Sequence, residues 1–300
     1  MSGTVRDETP EGVDRCGRLL VVYDDIRYEV DDPVAVITLS RPQALNAWTE
    51  QMDLEVRDAL MRAAADPKVV GIVVTGEGRA FCAGADMNLL SGISSGSSEH
   101  AMTRPGARAA WARDDGSDDF AGRFPYVMAI DKPVIAAING AVAGMAFPFA
   151  LCCDIRIVSP DALFVTAFVQ RGLIAEWGLS WLLPRLVGPA VALDLLYTSR
   201  RVNGEEAYRL GLANYLVERD ELMSFSRSYV EQLARGSSPT SMAIMKRQVY
   251  EQLHRGLGEA EYDSQRLILE SFKRGDFKEG VTSFLEKRPP DFPRLPLGAE

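Results

Sequence analysis

The stretch that most constrains this chain covers residues 132–158, KPVIAAINGAVAGMAFPFALCCDIRIV, with no charged residue from Pro133 to Cys153. An uncharged run of that length could in principle cross a bilayer, but its internal punctuation excludes a spanning helix. Residues 134–138 form a strand-length run of β-branched residues and alanines, with Pro133 where a strand tolerates proline. Asn139-Gly140 signals a turn, and residues 141–144 are mostly small enough for backbone to approach a ligand closely. From Met145 the apolar pattern predicts a buried helix that runs towards Cys153 and ends near Asp154. Strand, glycine-bearing turn and helix would set unpaired N–H groups and the positive dipole end against the turn. Such a place can bind an anion or stabilise charge on an oxygen. A core βα unit without chemistry produces the same pattern.

Three hundred residues, 47% of them hydrophobic, are enough for one large α/β domain, alone or with an appended helical piece. Lys and Arg number 33 against 42 Asp and Glu, a net charge of −9 with no long basic run. That balance argues against nucleic acid as a partner and leaves an anionic small molecule open. Cys16, Cys82, Cys152 and Cys153 show neither metal nor disulfide spacing, and three lie in apolar segments. They read as reduced core residues, and a cytoplasmic location is expected. Residues 1–14 are polar and acidic without an apolar core, so they are not a signal peptide, and residues 1–16 are expected to be a disordered tail. With His100 and His254 alone, multi-histidine zinc sites are set aside and no metal is expected.

Strands are predicted over 19–23 and 34–39, separated by the turn-rich region 24–32. Thr49 is positioned to cap a helix over 49–65, with Met52, Val56, Ala59, Leu60 and Ala63 on one face and Asp66-Pro67 as its stop. Residues 69–75, VVGIVVT, read as a buried strand, and residues 79–86 lead into a second helix. Residues 91–119 lack apolar period; a flap over a pocket and a helical insertion both fit. After the central stretch, 163–168 is strand-like, 171–178 a loop and 179–186 a helix. Beyond Gly188 strand signals nearly vanish. Helices are predicted over 190–197, 204–209, 220–234, 239–253 and 262–272, with Ser238-Pro239 as a cap pair. The pattern is an α/β core of repeated strand–strand–helix units over 17–200 and a helical region over 201–300.

Loops 83–86 and 143–145 each pair small residues with the start of a following helix. Two N–H donors from different loops, converging on one oxygen, form an oxyanion hole. Around these loops stand Arg41-Pro42-Gln43-Ala44-Leu45-Asn46-Ala47 and Gly78-Arg79-Ala80-Phe81-Cys82-Ala83-Gly84-Ala85-Asp86. Further along come Lys132-Pro133-Val134-Ile135-Ala136-Ala137 with Asn139-Gly140, Cys153-Asp154-Ile155-Arg156, Arg171-Gly172-Leu173, Gly211-Leu212-Ala213-Asn214, and EGVTSFLEKR over 279–288. In this set and order the chain resembles the enoyl-CoA hydratase/isomerase (crotonase) superfamily.

The resemblance implies a crotonase-like spiral of ββα units with a helical C-terminal trimerisation region, assembled as a homotrimer or a dimer of trimers. It implies an acyl-CoA thioester as substrate, with coenzyme A part of that substrate and no separate cofactor. By motif position the N–H groups of Ala85 and Met145 hold the thioester oxygen. Ala44, Leu45, Ala83, Asp86, Gly144 and Phe168 fall among the substrate-binding positions, Ala83 beside the adenine. Asp86 and Asp154 also read as caps or structural anchors. Lys287 either reaches a neighbouring subunit's coenzyme phosphates or is a solvated lysine. Met145 stands where the family often has glycine, and Gln43 replaces a frequent basic residue.

Hydratases of this family use two glutamates around one water. Counted from the flanking motifs, these positions fall on Pro148 and Phe168. One carboxylate remains near by motif position, Glu176 beside Trp177. It is either a catalytic base with a raised pKa or a solvated loop glutamate. Moving a double bond needs one proton-transferring group where hydration suits two, so the residues favour isomerase-type enolate chemistry. A hydratase with an unusual acid/base set and a non-catalytic acyl-CoA-binding protein are the alternatives. Gly92-Ile93-Ser94-Ser95-Gly96 with His100 nearby formally matches a hydrolase nucleophile elbow, but no strand precedes it.

Overall fold

Each repeat of the chain lays one strand in a large sheet and the next in a small one. The structure, a computed structural model, describes residues 11–13, 19–94 and 119–295. The strands are β1 (Glu11–Val13), β2 (Leu19–Val21), β3 (Ile26–Asp31), β4 (Val34–Leu39), β5 (Gly71–Gly76), β6 (Ala80–Cys82), β7 (Val134–Ile138), β8 (Ala141–Ala143), β9 (Ile155–Val158), β10 (Leu163–Val165), β11 (Val202–Asn203) and β12 (Tyr215–Leu216). The large sheet has the order β12-β9-β7-β5-β4-β3 and the small one β11-β10-β8-β6. Thus β5, β7 and β9 lie side by side in the first, and β6, β8 and β10 in the second. The β5–β7–β9 and β6–β8–β10 pairings are parallel, while β3–β4 and β10–β11 are antiparallel. Every residue of β5 and β7 is buried, as the unbroken apolar runs of a covered parallel sheet require.

The first helix, α1 (Glu50–Ala65), is capped by Thr49, whose Oγ accepts from Met52 N at 2.9 Å. Two short helices follow strands of the small sheet, α2 (Met87–Ser94) and α3 (Ala146–Cys152). The C-terminal part is α4 (Leu179–Val187), α5 (Pro189–Thr198), α6 (Gly204–Arg209), α7 (Leu222–Gly236), α8 (Pro239–Gln252), α9 (Leu257–Ser271) and α10 (Gly275–Glu286). No helix among the described residues is long and apolar enough to cross a membrane.

Several expectations change. The turn-rich region 24–32 contains β3, whose residues alternate between core and solvent against β4; its aspartates sit at the strand's ends and mask that alternation. Glu11–Val13, inside the expected tail, pairs with Leu19–Val21, and the rest of residues 1–16 lies outside the described residues. The strand expected over 163–168 stops at Val165, because Ala167 turns to a positive φ of 60°. Beyond Gly188 two strands of two residues remain, β11 on β10 and β12 on β9, too short to leave a period-two signature. The helix expected over 262–272 begins earlier, at Leu257. Most of residues 91–119, including His100 and the end of the elbow-like motif, lies outside the described residues; Gly92 and Ser94 are in α2.

The central helix ends close to Asp154, as expected: its last residue is Cys152, and Cys153 is extended at φ −70° and ψ 145°. Tertiary bonds explain the stop. Asp154 Oδ2 accepts from Val134 N at 2.8 Å and from Lys246 Nζ at 2.7 Å, and Oδ1 accepts from Tyr250 Oη at 2.8 Å. One carboxylate therefore ties the start of β7 to α8. Asp154→Asn removes the charge that faces the ammonium while keeping an acceptor, and is expected to lower stability by about 2 kcal/mol, read as a lower denaturant midpoint at unchanged slope.

Candidate active site

Strands β6 and β8 are parallel neighbours, Ala80 opposite Ala141 and Cys82 opposite Val142. Chain leaving their C-terminal ends must therefore emerge at the same place. Each exit bears a glycine at positive φ, Gly84 at 102° and Gly144 at 52°. The two glycines touch: a Cβ on Gly84 would sit 2.9 Å from Ala143 O and 3.7 Å from Gly144 Cα. Directly after them come Ala85 and Met145.

The direction of the Ala85 amide follows from its neighbours. Trp48 N donates to Gly84 O at 2.7 Å, and Asp86 N donates to Trp48 O at 2.9 Å. In such a parallel bridge the intervening residue presents its own N–H to the opposite side. Gly144 N is held by Val165 O at 3.1 Å, and Phe147 N donates back to Gly144 O at 3.0 Å, which leaves Met145 as the N-cap of α3. Neither Ala85 N–H nor Met145 N–H donates to a protein acceptor among the described residues. Both residues line one cavity of about 490 Å³, within the range of roughly 300–1,000 Å³ common for small-molecule sites. Because α3 spans only two turns, the amides themselves, more than a long helix dipole, are the local source of positive potential.

Ala44, Ala83, Asp86, Gly144, Phe168 and Glu176 line the same cavity. Leu45 does not; its backbone, left-handed at φ 52°, offers a carbonyl to Ala83 N at 3.0 Å and so supports the loop from behind. Lys287 is the left-handed C-cap of α10 and does not line it either. Pro148 is buried within α3.

Two carboxylates line the cavity among the described residues, and their surroundings differ. Asp86 accepts from Asn88 N at 2.9 Å and from Arg41 Nη1 at 3.0 Å. The amide of Asn88 first, then the guanidinium, hold its carboxyl below the ordinary range. The Glu176 carboxylate has no hydrogen-bond or ion partner among the described residues, and burial alone pushes its pKa above the usual 4.5. A carboxylate in that state is a better proton acceptor than a paired one.

Arg171, Leu173 and Trp177 are among the further lining residues that sequence reasoning did not place in the site. The first two lie in the Arg171-Gly172-Leu173 motif, where Gly172 at φ 69° closes a turn that brings Leu173 N to Phe168 O at 3.0 Å. That motif was the available signal. Both residues follow the early end of β10, and Arg171 Nη1 donates to Ala167 O at 2.7 Å.

The sequence profile described as enoyl-CoA hydratase/isomerase matches residues 29–294. A probable enoyl-CoA hydratase of Rhodobacter capsulatus is 35% identical over 276 residues, spanning 90% of this chain and 98% of the relative. The crotonyl-CoA hydratase of Syntrophomonas wolfei is 34% identical over 278 residues, spanning 91% and 99%. Among solved structures, an enoyl-CoA hydratase from Bacillus anthracis aligns with a TM-score of 0.80 at 26% identity, over 90% of this chain and 99% of that one. Near full-length matches of sequence and shape coincide with a ββα spiral whose small sheet delivers two neighbouring amides to one cavity. The chain belongs to the enoyl-CoA hydratase/isomerase family, within the crotonase superfamily.

Proposed function

We propose that this chain acts on acyl-CoA thioesters, with the Ala85 and Met145 amides holding the thioester oxygen while Glu176 moves a proton. In a double-bond shift, the Glu176 carboxylate takes a proton from the carbon next to the thioester of a 3-enoyl-CoA. The electron pair spreads onto the thioester oxygen as a dienolate, where two amide donors stabilise it. Glu176 then returns the proton to the far carbon and a 2-enoyl-CoA leaves. One group handles both transfers, so no second acid is required. The observation that carries this reading is the unpaired, half-buried Glu176 lining the same cavity as both free amides.

Hydration is the second reading, favoured by relatives that are named hydratases. It needs a second group to complete delivery of water across the double bond, and Phe168, which lines the cavity with Glu176, supplies none. Assays of 2-enoyl-CoA with water and of 3-enoyl-CoA, run side by side, separate the readings. Faster 3-enoyl conversion supports the shift; faster formation of 3-hydroxyacyl-CoA replaces it with hydration; neither product, with binding retained, leaves a non-catalytic acyl-CoA binder.

The same reading has the chain assemble as a trimer or a pair of trimers through its helical C-terminal region. Leu257 and Phe284 there are 88% and 83% exposed in the single chain, apolar surface of the kind oligomer interfaces cover. Light scattering is expected to return the mass of three or six chains, and a monomer would overturn the assembly.

A further inference from the structure

Trp177 lines the cavity shared by Ala85, Met145 and Glu176, while the next residue, Gly178, lines a second hollow of about 210 Å³. Consecutive Cα atoms lie about 3.8 Å apart, so here little more than one residue separates the two spaces. The partition is aromatic. The indole centroid is 6.3 Å from Phe168 on the cavity side and 5.8 Å, edge to face, from Phe124. Pro125, next to Phe124, lines the second hollow. Phe124 in turn packs on Phe149 at 5.6 Å and on Trp48 at 5.3 Å, which backs the indole with close-packed core.

Two observations give that partition a purpose. Trp177 adopts a left-handed φ of 47°, followed by Gly178 at 81°; a bulky residue persists there only where its surroundings hold it. Phe120, Pro125, Met128, Leu182 and Trp181 give the second hollow an apolar wall, with Asp119 and His254 at the same hollow, so apolar chain can lie along that wall. At about 210 Å³ it falls below the roughly 300 Å³ at which small-molecule pockets usually begin, which fits an extension better than an independent site. Phe168, Leu173 and Trp177 line the main cavity from the stretch around Glu176, beside Arg171, while Met87 and Met145 line it from other loops; an acyl chain is drawn to such apolar surface.

We infer that Trp177 sets the acyl-length limit: its indole closes the apolar end of the cavity, confines the chain to short acyl groups, and shuts off the hollow behind it. This inference rests on the acyl-CoA reading. Calorimetric titration with butyryl-, octanoyl- and dodecanoyl-CoA tests it in the wild type, Trp177→Phe, Trp177→Ala and Trp177→Ala combined with Leu182→Trp. The wild type is expected to bind butyryl-CoA most tightly. Trp177→Ala is expected to reverse the order, with about fourfold in affinity for each further methylene that finds room. Trp177→Phe should shift the order less, and it keeps the test usable if the alanine variant does not fold. Refilling the second hollow with Leu182→Trp should withdraw the gain. An order unchanged in the Trp177 variants, with the wild type binding acyl-CoA, overturns this inference alone, as does a gain that survives Leu182→Trp. Failure of the wild type to bind any of the three thioesters overturns the acyl-CoA reading and the inference together.

Discussion

Glu176→Gln is expected to lower turnover by about 10²–10⁴-fold, the usual contribution of a positioned acid–base group, while acyl-CoA affinity stays unchanged. The substitution keeps the size of the side chain and removes its ability to hold the travelling proton. The amides of Ala85 and Met145, which bind the thioester oxygen in this reading, are untouched. The loss should therefore fall on kcat, with KM little altered. Glutamate acts as a base only when deprotonated, and burial places its pKa above the usual 4.5. Activity of the wild type should accordingly fall as pH drops through that raised value, and the variant's residual rate should lack this limb. Stability moves the other way. A raised carboxyl pKa means that the folded chain binds the proton more tightly than the unfolded one, a contribution lost as pH rises through the folded value. Glu176→Gln should thus be as stable as the wild type at neutral pH or more so, which thermal unfolding checks. Loss of ligand binding in the variant, or full turnover, would count against Glu176 as the base.

Gly84→Ala is the second large effect. Its Cβ would lie 2.9 Å from Ala143 O, and that oxygen belongs to β8, so relief requires the β6 and β8 exits to separate. Those exits carry both amides. Losing one oxyanion donor typically costs about 10²–10³ in kcat, and that loss is expected here together with a lower unfolding midpoint. Gly144→Ala supplies the contrast. A Cβ there would have Gly84 Cα at 3.8 Å as its nearest neighbour, so only the φ of 52° resists it, at about 1–2 kcal/mol. Equal loss of turnover in the two variants would show that backbone strain, rather than amide placement, governs activity.

Local signals in the sequence were read correctly where they depend on neighbours within a few residues. Thr49 as cap, Asp66-Pro67 as stop, Ser238-Pro239 as the start of α8 and the buried character of β5 and β7 are all of this kind. Fold class was legible as well, partly from the alternation of short apolar runs with helices and partly from family motifs spread along the chain. Where the reading failed, a distant partner overrode the local pattern. β3 is a strand because β4 lies beside it in register. β11 and β12 exist only as additions to sheet edges.

The candidate site divides along the same line. Sequence by itself determined which residue types are present: two glycine-bearing loops and a carboxylate next to a tryptophan; the resemblance to the family added that Pro148 and Phe168 fall where its hydratases carry glutamates. Only the tertiary structure decided that the loops abut, that Asp86 is spent on Arg41 and the Asn88 amide, and that Glu176 stays unpaired beside the amides. The reason is physical. Strand register between β6 and β8 sets which atoms meet, and burial sets what a carboxylate does there; both arise from residues far apart in the chain.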